Sequence, residues 1–270
     1  MPDSLGAWTN APLAYALAEV RTERLADLKT YQPKLAGRLR EHYPLQRTMQ
    51  TAKLVATGMQ LLVEAEQDPA WEFASPDNRT ALVLRPNGLV LHATAYRDSL
   101  TFLGELDRAV KVFAEEVPSV FVARLGLRYV DFVLPRQGES PEDYVDRRLN
   151  PDLGLSDAPG DTNTTSLGVY RMPGGSVLSL RYVRARGKPD LPPDLGVLSL
   201  GPSPLMQSGV VSDKQPTALL DFDCNITYER VLRLDPGKLR DQFSAIYDVT
   251  FGAFMASITD HARKVWGARP

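Results

Sequence analysis

Cysteine and histidine are scarce in this sequence, which holds one cysteine, Cys224, and three histidines among 270 residues. A single cysteine cannot form a disulfide within the chain, and it excludes a zinc site made of several thiolates. The histidines, His42, His92 and His261, lie far apart and form no HxH or HxxxH pair of the kind that binds metals. The sequence therefore predicts no metal site and no cofactor, and the lack of disulfide chemistry favours a cytoplasmic protein.

An excess of charge of one sign is also missing, because 31 lysines and arginines face 33 aspartates and glutamates, for a formal net charge of −2. No overall basic field draws the chain to nucleic acid, so any anion-binding site has to be local. No apolar run approaches the roughly 20 residues of a membrane-spanning helix, and residues 1–24 lack the basic and apolar regions of a signal peptide. We therefore expect no membrane association and no export by that route.

The sequence patterns that mark common enzyme active sites are absent as well. We find no GxSxG elbow, no HExxH pair, no dinucleotide-binding glycine fingerprint and no protein-kinase set. The glycine pair in "MPGGSV", residues 172–177, is too short for a phosphate-binding loop and leads into a strand, so a hairpin turn is the better interpretation. The sequence thus favours a protein without catalytic activity over an enzyme and indicates no catalytic residue.

What the sequence does contain is a regular succession of strand and helix patterns. Period-two alternation predicts strands, and apolar residues at helical spacing predict helices. The predicted strands cover residues 13–22, 70–96 with a turn at Asn87-Gly88, 121–132, 166–187 as a hairpin, and 217–232. The predicted helices cover 23–44 and 98–117, a short helix beginning at Ser140, and a long last helix that begins at 235 and is stopped by Gly267. We expect an α+β protein, a single compact unit over 1–270, in which helices pack on one face of a curved antiparallel sheet and the last helix is long. Two related ferredoxin-like halves, 1–135 and 150–270, are the alternative organisation.

The stretch "FVARLGLRYVDF", residues 121–132, sets Arg124 and Arg128 on one face of a predicted strand, with Gly126 between them. A glycine inside a strand marks a bulge or a close approach to the backbone, so the two guanidinium groups could grip a carboxylate or a phosphate. The alternative is a cross-strand ladder of ion pairs with Asp221 and Asp223. A ladder predicts that Arg128→Ala lowers the melting temperature, whereas a binding site predicts lost ligand binding in a folded protein.

The stretch "LLDFDCNI" sets Asp221 and Asp223 on one face of another strand, while Phe222 and Cys224 point to the other face. Two carboxylates at this spacing could hold Mg²⁺ or divide into a general acid and a general base. The alternative is the solvated face of a strand, on which the aspartates pair with arginines such as Arg181.

The end of the strand in "LSLRYVRARG", residues 178–187, aligns Tyr182, Arg184 and Arg186. Interleaved aromatic and basic residues on a sheet face are typical of proteins that bind single-stranded nucleic acid. Here the pattern is short, and the polar end of an ordinary strand is the alternative interpretation.

Six stretches of the chain occur in the order "NAPLAYALAEVR", "WEFASPDNRTALVLRPNGLVLHATAY", "RLGLRYVDFV", "LNPDLG", "LLDFDCNI" and "FGAFMASITDHARKVWG". In this order the chain resembles, over nearly its whole length, a sporadically distributed bacterial family of roughly 250-residue proteins of unknown function. The resemblance implies no activity, cofactor or catalytic residue. Its patchy distribution implies horizontal transfer, as is found for defence systems and toxin–antitoxin pairs.

Three functional hypotheses follow from these observations. The first is a non-catalytic binding or accessory protein that acts with a protein partner, in a bacterial defence or toxin–antitoxin locus as the resemblance implies. The second is an RNA-binding or RNA-processing protein with a basic stripe along Arg128, Arg181, Arg184 and Arg186. The third is a small-ligand binder in which the last helix closes a cavity against the sheet.

Overall fold

The structure of the protein is a computed structural model that describes residues 8–25, 27–49, 52–57, 60–65, 70–150, 163–195, 199–207 and 211–267. The first half of the chain contains β1 (Leu13–Thr22), α1 (Leu28–Leu39), β2 (Leu45–Met49), β3 (Ala52–Thr57), β4 (Gln60–Ala65), β5 (Ala70–Ala74), β6 (Thr80–Arg85), β7 (Gly88–Ala93), α2 (Ser99–Glu116) and β8 (Phe121–Val133). The second half contains α3 (Pro141–Tyr144), β9 (Thr164–Arg171), β10 (Val177–Arg186), α4 (Pro204–Gln207), β11 (Pro216–Arg233), α5 (Pro236–Ser257) and α6 (Asp260–Trp266).

Nine of these strands form one sheet in the order β2-β5-β6-β7-β1-β8-β11-β10-β9, and β3 and β4 form a separate hairpin. Every neighbouring pair in the large sheet is antiparallel, which confirms the expected α+β class. The elements β1, α1, β6, β7, α2 and β8 have the βαββαβ order of a ferredoxin-like unit, with β2 to β5 inserted after α1. In the second half, β9, β10 and β11 form a meander followed by α5, so the two halves differ in strand order.

The helices α1, α2 and α5 pack against one face of the large sheet, as the sequence predicts. The core there joins Leu35 of α1, Phe113 of α2 and Phe254 of α5 to Leu125 and Tyr129 of β8. We call the opposite side of the sheet the open face. Within the part of the chain that the structure describes, no helix has both the length and the apolar character needed to cross a membrane.

The C-terminal segment differs from its prediction, because the single helix expected over 235–266 is two helices, α5 and α6. Between them Ile258 has extended backbone and forms an isolated β-bridge with Val145. The side chain of Thr259 then caps α6 by accepting a hydrogen bond from the backbone N–H of Ala262 at 3.1 Å. His261 therefore lies in the first turn of α6, where it cannot compensate the dipole at a helix C-terminus. The predicted end at Gly267 is confirmed by its left-handed backbone, with φ of 74°.

Asp131 of β8 lies on the helix-covered side of the sheet and is completely buried. Neither oxygen of its side chain has a hydrogen-bond partner among the described residues. Burial, reinforced by the negative charge of Asp221, raises the pKa of Asp131 well above its ordinary value. Asp131 consequently keeps its proton to a higher pH in the folded chain than in the unfolded chain.

This burial predicts a pH-dependent gain in stability for Asp131→Asn. An unfolded aspartate ionises near about pH 4, whereas folded Asp131 keeps its proton, so folding is opposed by about 1.4 kcal/mol for each further pH unit until the folded pKa is reached. We expect the melting temperature of Asp131→Asn, measured by circular dichroism, to rise relative to the wild type as the pH increases from 4 to 8. The exposed Asp190→Asn is the control and should show no trend. A constant difference for Asp131→Asn would contradict its burial as a neutral acid.

Candidate functional site

The open face carries a cleft of about 300 Å³ that crosses strands β6, β7, β1, β8 and β11. Strand register places His92, Leu17, Arg128 and Asp223 side by side in one row across β7, β1, β8 and β11. Residues directly opposite each other on neighbouring strands point to the same face of a sheet. The alternation along each strand therefore brings residues from distant parts of the sequence into one cleft.

Arg128 is the centre of an ion-pair network at one side of this cleft. Its Nε and Nη2 atoms donate to the two oxygens of Asp221, each at 2.8 Å, and Nη1 and Nη2 also donate to Asp194. Arg181 donates to the same Asp221 carboxylate at 2.9 Å. Asp221 thus accepts hydrogen bonds from two arginines, and Arg128 donates hydrogen bonds to two carboxylates. The geometry is that of the cross-strand ladder and not that of an open anion site.

The charge states in this network follow from the same contacts. Burial lowers the pKa of Arg128, but its hydrogen bonds with Asp221 and Asp194 outweigh this effect and raise the pKa above its ordinary value. The hydrogen bond from Arg128 lowers the pKa of Asp194. Arg128 and Asp194 therefore both stay charged at neutral pH.

Arg124 explains the glycine in the middle of β8. Its guanidinium pairs with Glu19 and lies 3.9 Å from Asp223. The same group lies over Gly126, where a Cβ atom would come within 3.1 Å of Arg124 Nη1. The register of β8 with both neighbouring strands is continuous at this point, so Gly126 marks no bulge. The group that approaches the backbone closely at Gly126, as the sequence indicates, is the guanidinium of Arg124.

A buried chain of polar groups lines the opposite side of the cleft. The Tyr15 hydroxyl lies 3.3 Å from His92 Nδ1, and His92 Nε2 lies 3.9 Å from Glu72 Oε2. Glu72 is fully buried and accepts hydrogen bonds from Arg47 at 2.8 Å and from the Ser199 hydroxyl. This chain fixes the His92 ring in place at the wall of the cleft.

His92 is held in its neutral form. Burial, together with the positive charge of Arg85, lowers the pKa of His92 to about 4. Burial raises the pKa of Tyr15 above its ordinary value. Because Tyr15 keeps its proton, it can donate to His92 Nδ1, and in that tautomer His92 Nε2 carries the ring proton.

Two polar atoms in the cleft wall have no hydrogen-bond partner in the described chain, Arg85 Nε and His92 Nε2. Arg85 also forms no ion pair with any carboxylate of the described residues, unlike Arg124 and Arg128. A buried donor left without a partner costs about 1–3 kcal/mol. Arg85 lies opposite Gly88 of β7, four residues from His92, so the two atoms mark separate points along this wall.

The floor between these polar walls is apolar. Val83 of β6, Val90 of β7 and Leu17 of β1 form it, and Met49 and Leu195 lie at its edges. The floor offers apolar contact, while most of the residues that line the cleft are polar or charged.

The structure separates the predicted site residues into two groups. Arg124, Arg128, Arg181, Asp221 and Asp223 share the open face. The stripe expected along Tyr182, Arg184 and Arg186 is not a solvent-facing stripe. Tyr182 and Arg184 lie on the helix-covered face, are 0% and 3% exposed, and Arg184 pairs with Glu142 of α3. Only Arg186 is exposed, at the end of β10.

The carboxylates of β11 do not form the metal or acid–base pair considered from the sequence. Both oxygens of Asp221 are already hydrogen-bonded to arginines. In the described residues no three histidine, cysteine, aspartate or glutamate side chains lie close enough together to hold a metal ion. Cys224 is buried on the helix-covered side, and burial raises the pKa of its thiol.

Several cleft residues were not predicted from the sequence. His92 and Arg85 carried a usable signal, because both interrupt strands that are otherwise apolar, "GLVLHA" and "TALVLR". Glu72 gave a similar signal in "AWEFA". Asp194 and Ser199 come from the connection between β10 and β11 and follow no periodic pattern.

Comparison with known proteins found no matching family model and no matching curated protein. The bacterial family that the sequence resembles therefore stays a prediction, and the site has to be interpreted from its own chemistry.

The ladder predicts that Arg128→Met destabilises the protein, since it leaves the buried Asp221 carboxylate with fewer partners. We expect the free energy of unfolding, measured with urea, to fall by about 3 kcal/mol. Arg38→Met is the matched control, because Arg38 pairs with Glu115 and Glu116 on the surface and its loss should leave the free energy of unfolding almost unchanged. Equal losses in the two variants would contradict a structural role for Arg128.

Proposed function

We propose that this protein is a non-catalytic binding protein that holds a small anionic ligand in the open-face cleft. The observation that carries the proposal is the pair of unpartnered donors, Arg85 Nε and His92 Nε2, in the wall of a cleft with an apolar floor. This location differs from the cavity under the last helix that the sequence suggested, because the cleft lies on the other side of the sheet.

The chemistry of the wall supports a carboxylate or a phosphate as the bound group. A guanidinium presents several N–H donors in a plane and suits either anion, and a neutral imidazole can add one more donor. Arg124 and Arg128 also line the cleft, but their donors are directed to Glu19, Asp194 and Asp221. Arg21, the fourth cleft arginine, pairs with Glu19, so Arg85 is the cleft arginine with no ion pair among the described residues.

The pKa values of His92 and Tyr15 in the cleft wall support ligand binding in preference to general acid–base catalysis. His92 has a pKa lowered to about 4, and the pKa of Tyr15 is raised, each mainly by burial. A general acid or base works best when its pKa lies near the working pH. Neither His92 nor Tyr15 changes its protonation state near neutral pH, so both are suited to hold a ligand in place.

Loss of anion binding in Arg85→Gln tests the proposal. We expect the wild type to bind inorganic phosphate or the carboxylate probe N-acetyl-trialanine in isothermal titration calorimetry. Arg85→Gln should bind at least about tenfold more weakly, which corresponds to about 1.4 kcal/mol. The control Arg38→Gln, on the helix-covered side, should bind like the wild type. Unchanged affinity in Arg85→Gln, or no binding of either probe by the wild type, would refute an anion site at this wall.

A second candidate function, binding to a protein partner, is favoured by the edge strand β9. This strand pairs only with β10 in the described sheet and exposes Leu167 and Val169, which are 66% and 62% accessible. The strand contains a single charged residue, Arg171, and no proline. Natural edge strands usually carry charged residues or a proline, which prevent pairing with another chain. An edge strand that lacks them can accept an extended segment of another chain. An accessory role in a defence or toxin–antitoxin locus would fit such a partner.

Charged substitutions on β9 test this second candidate. We expect the double variant Leu167→Lys and Val169→Lys to stay folded and to lose a protein partner that the tagged wild type retains from its host lysate, identified by mass spectrometry. The control is Val231→Lys, at a residue 40% exposed on β11. Recovery of the same partner in the same amount by the double variant would contradict binding at β9. Recovery of RNA that salt removes would instead favour the nucleic-acid hypothesis.

A further inference from the structure

We infer that the ligand of the open-face cleft is a zwitterion of the size of a short peptide, with its carboxylate at Arg85 and His92 and its ammonium group at Asp223. The inference rests on the proposed function, because it adds the second end of the ligand to the anion site. It depends on four features of the cleft: the state of Asp223, the distance across the strands, the balance of charge between the two ends and the apolar floor.

Asp223 is the carboxylate in the cleft that lacks a hydrogen-bond donor. Its nearest cationic atom, Arg124 Nη2, lies 3.9 Å from Oδ1, which is beyond hydrogen-bond distance. No described residue donates a hydrogen bond to it, whereas Asp221, two residues earlier on β11, accepts three. The Asp223 side chain is 35% exposed and lines the cleft. It is thus an accessible acceptor with free capacity.

The distance between the two ends defines the length of the ligand. His92 and Asp223 occupy the same cross-strand row, with β1 and β8 between their strands. Three strand spacings separate their Cα atoms by about 14 Å, and side chains that reach inward shorten the gap to be bridged. Three residues of extended chain span about 10 Å. A di- or tripeptide therefore has the length to run from His92 to Asp223, and Arg85 lies four residues further along the strands, opposite Gly88.

The charges between the ends are already neutralised. Glu19 pairs with Arg21 and Arg124, and Arg128 is paired with Asp194 and Asp221. Unused capacity remains in the donors of Arg85 and His92 at one end and in the acceptor Asp223 at the other. Arg21 and Arg124, between the ends, each donate to Glu19 among the described residues. A ligand with two anionic ends would place negative charge beside Asp223 and be repelled, whereas a zwitterion satisfies both ends.

The apolar floor suits the middle of such a ligand. Leu17, Val83 and Val90 offer contact to small aliphatic side chains, and a volume of about 300 Å³ lies at the small end of ligand sites. Trialanine, with free termini and methyl side chains, is accordingly the probe of choice.

The test compares trialanine, which has a charged amino terminus, with N-acetyl-trialanine, in which an uncharged acetamide replaces it, by isothermal titration calorimetry. We expect the wild type to bind trialanine at least tenfold more tightly. In Asp223→Asn this preference should disappear while the affinity for N-acetyl-trialanine is unchanged, and the exposed Asp190→Asn should behave like the wild type. The peptide comparison on the wild type needs no variant, so it remains decisive if Asp223→Asn folds poorly.

The outcomes separate this inference from the proposed function. If the wild type binds both peptides equally, or binds phosphate and neither peptide, the zwitterion inference is overturned and the anion site stands. If the wild type prefers trialanine but Asp223→Asn keeps that preference, the placement of the ammonium group at Asp223 is overturned. If neither peptide nor phosphate binds, the proposed function and the inference are both overturned.

Discussion

Arg128 is the residue on which the arrangement of the open face depends. Its guanidinium joins β8 to Asp221 of β11, and it also reaches Asp194 in the connection that follows β10. One side chain thereby fixes the pairing of two central strands and holds part of a long connection over the sheet. Charged groups buried this deeply are tolerated only when each has a partner, and here the two partners of Arg128 come from two other parts of the chain. These ion pairs within the protein hold the elements around the cleft in place and so determine its shape.

The chemistry of the cleft follows from which groups remain after that pairing. The arginines in the middle of the open face, Arg124 and Arg128, pair with carboxylates of the protein itself. They therefore form and support the walls of the cleft. Arg85 and His92 at one end, and Asp223 at the other, keep capacity for bonds that the described chain does not fill. The low pKa of His92, about 4, makes it a steady neutral donor. A site of this kind is organised to recognise a ligand by charge and length, with the fold acting as a rigid frame.

Features with local signals could be predicted from the sequence, and features set by tertiary contacts could not. The helix predicted over 98–117 begins as expected, where the Asp98 side chain accepts a hydrogen bond from the N–H of Thr101. The break at Ile258 was missed, because it depends on a bridge to a distant strand-like residue and not on local propensity. Alternation placed Asp221 on the face of Arg128 and suggested their pairing, but alternation cannot tell which face a helix will cover. For that reason Arg184 was expected on a solvent-facing stripe and is instead buried.

The most direct test of the central claim is to follow the arginine Nε–H signals by two-dimensional ¹H–¹⁵N NMR while N-acetyl-trialanine is added. Signals would be assigned with single arginine-to-lysine variants. Our interpretation predicts that the Arg85 Nε–H signal shifts in a saturable way, while that of Arg128 stays in place because its partner remains Asp221. A saturable shift of Arg128 with an unchanged Arg85 would contradict it, since the ladder would then be the binding site.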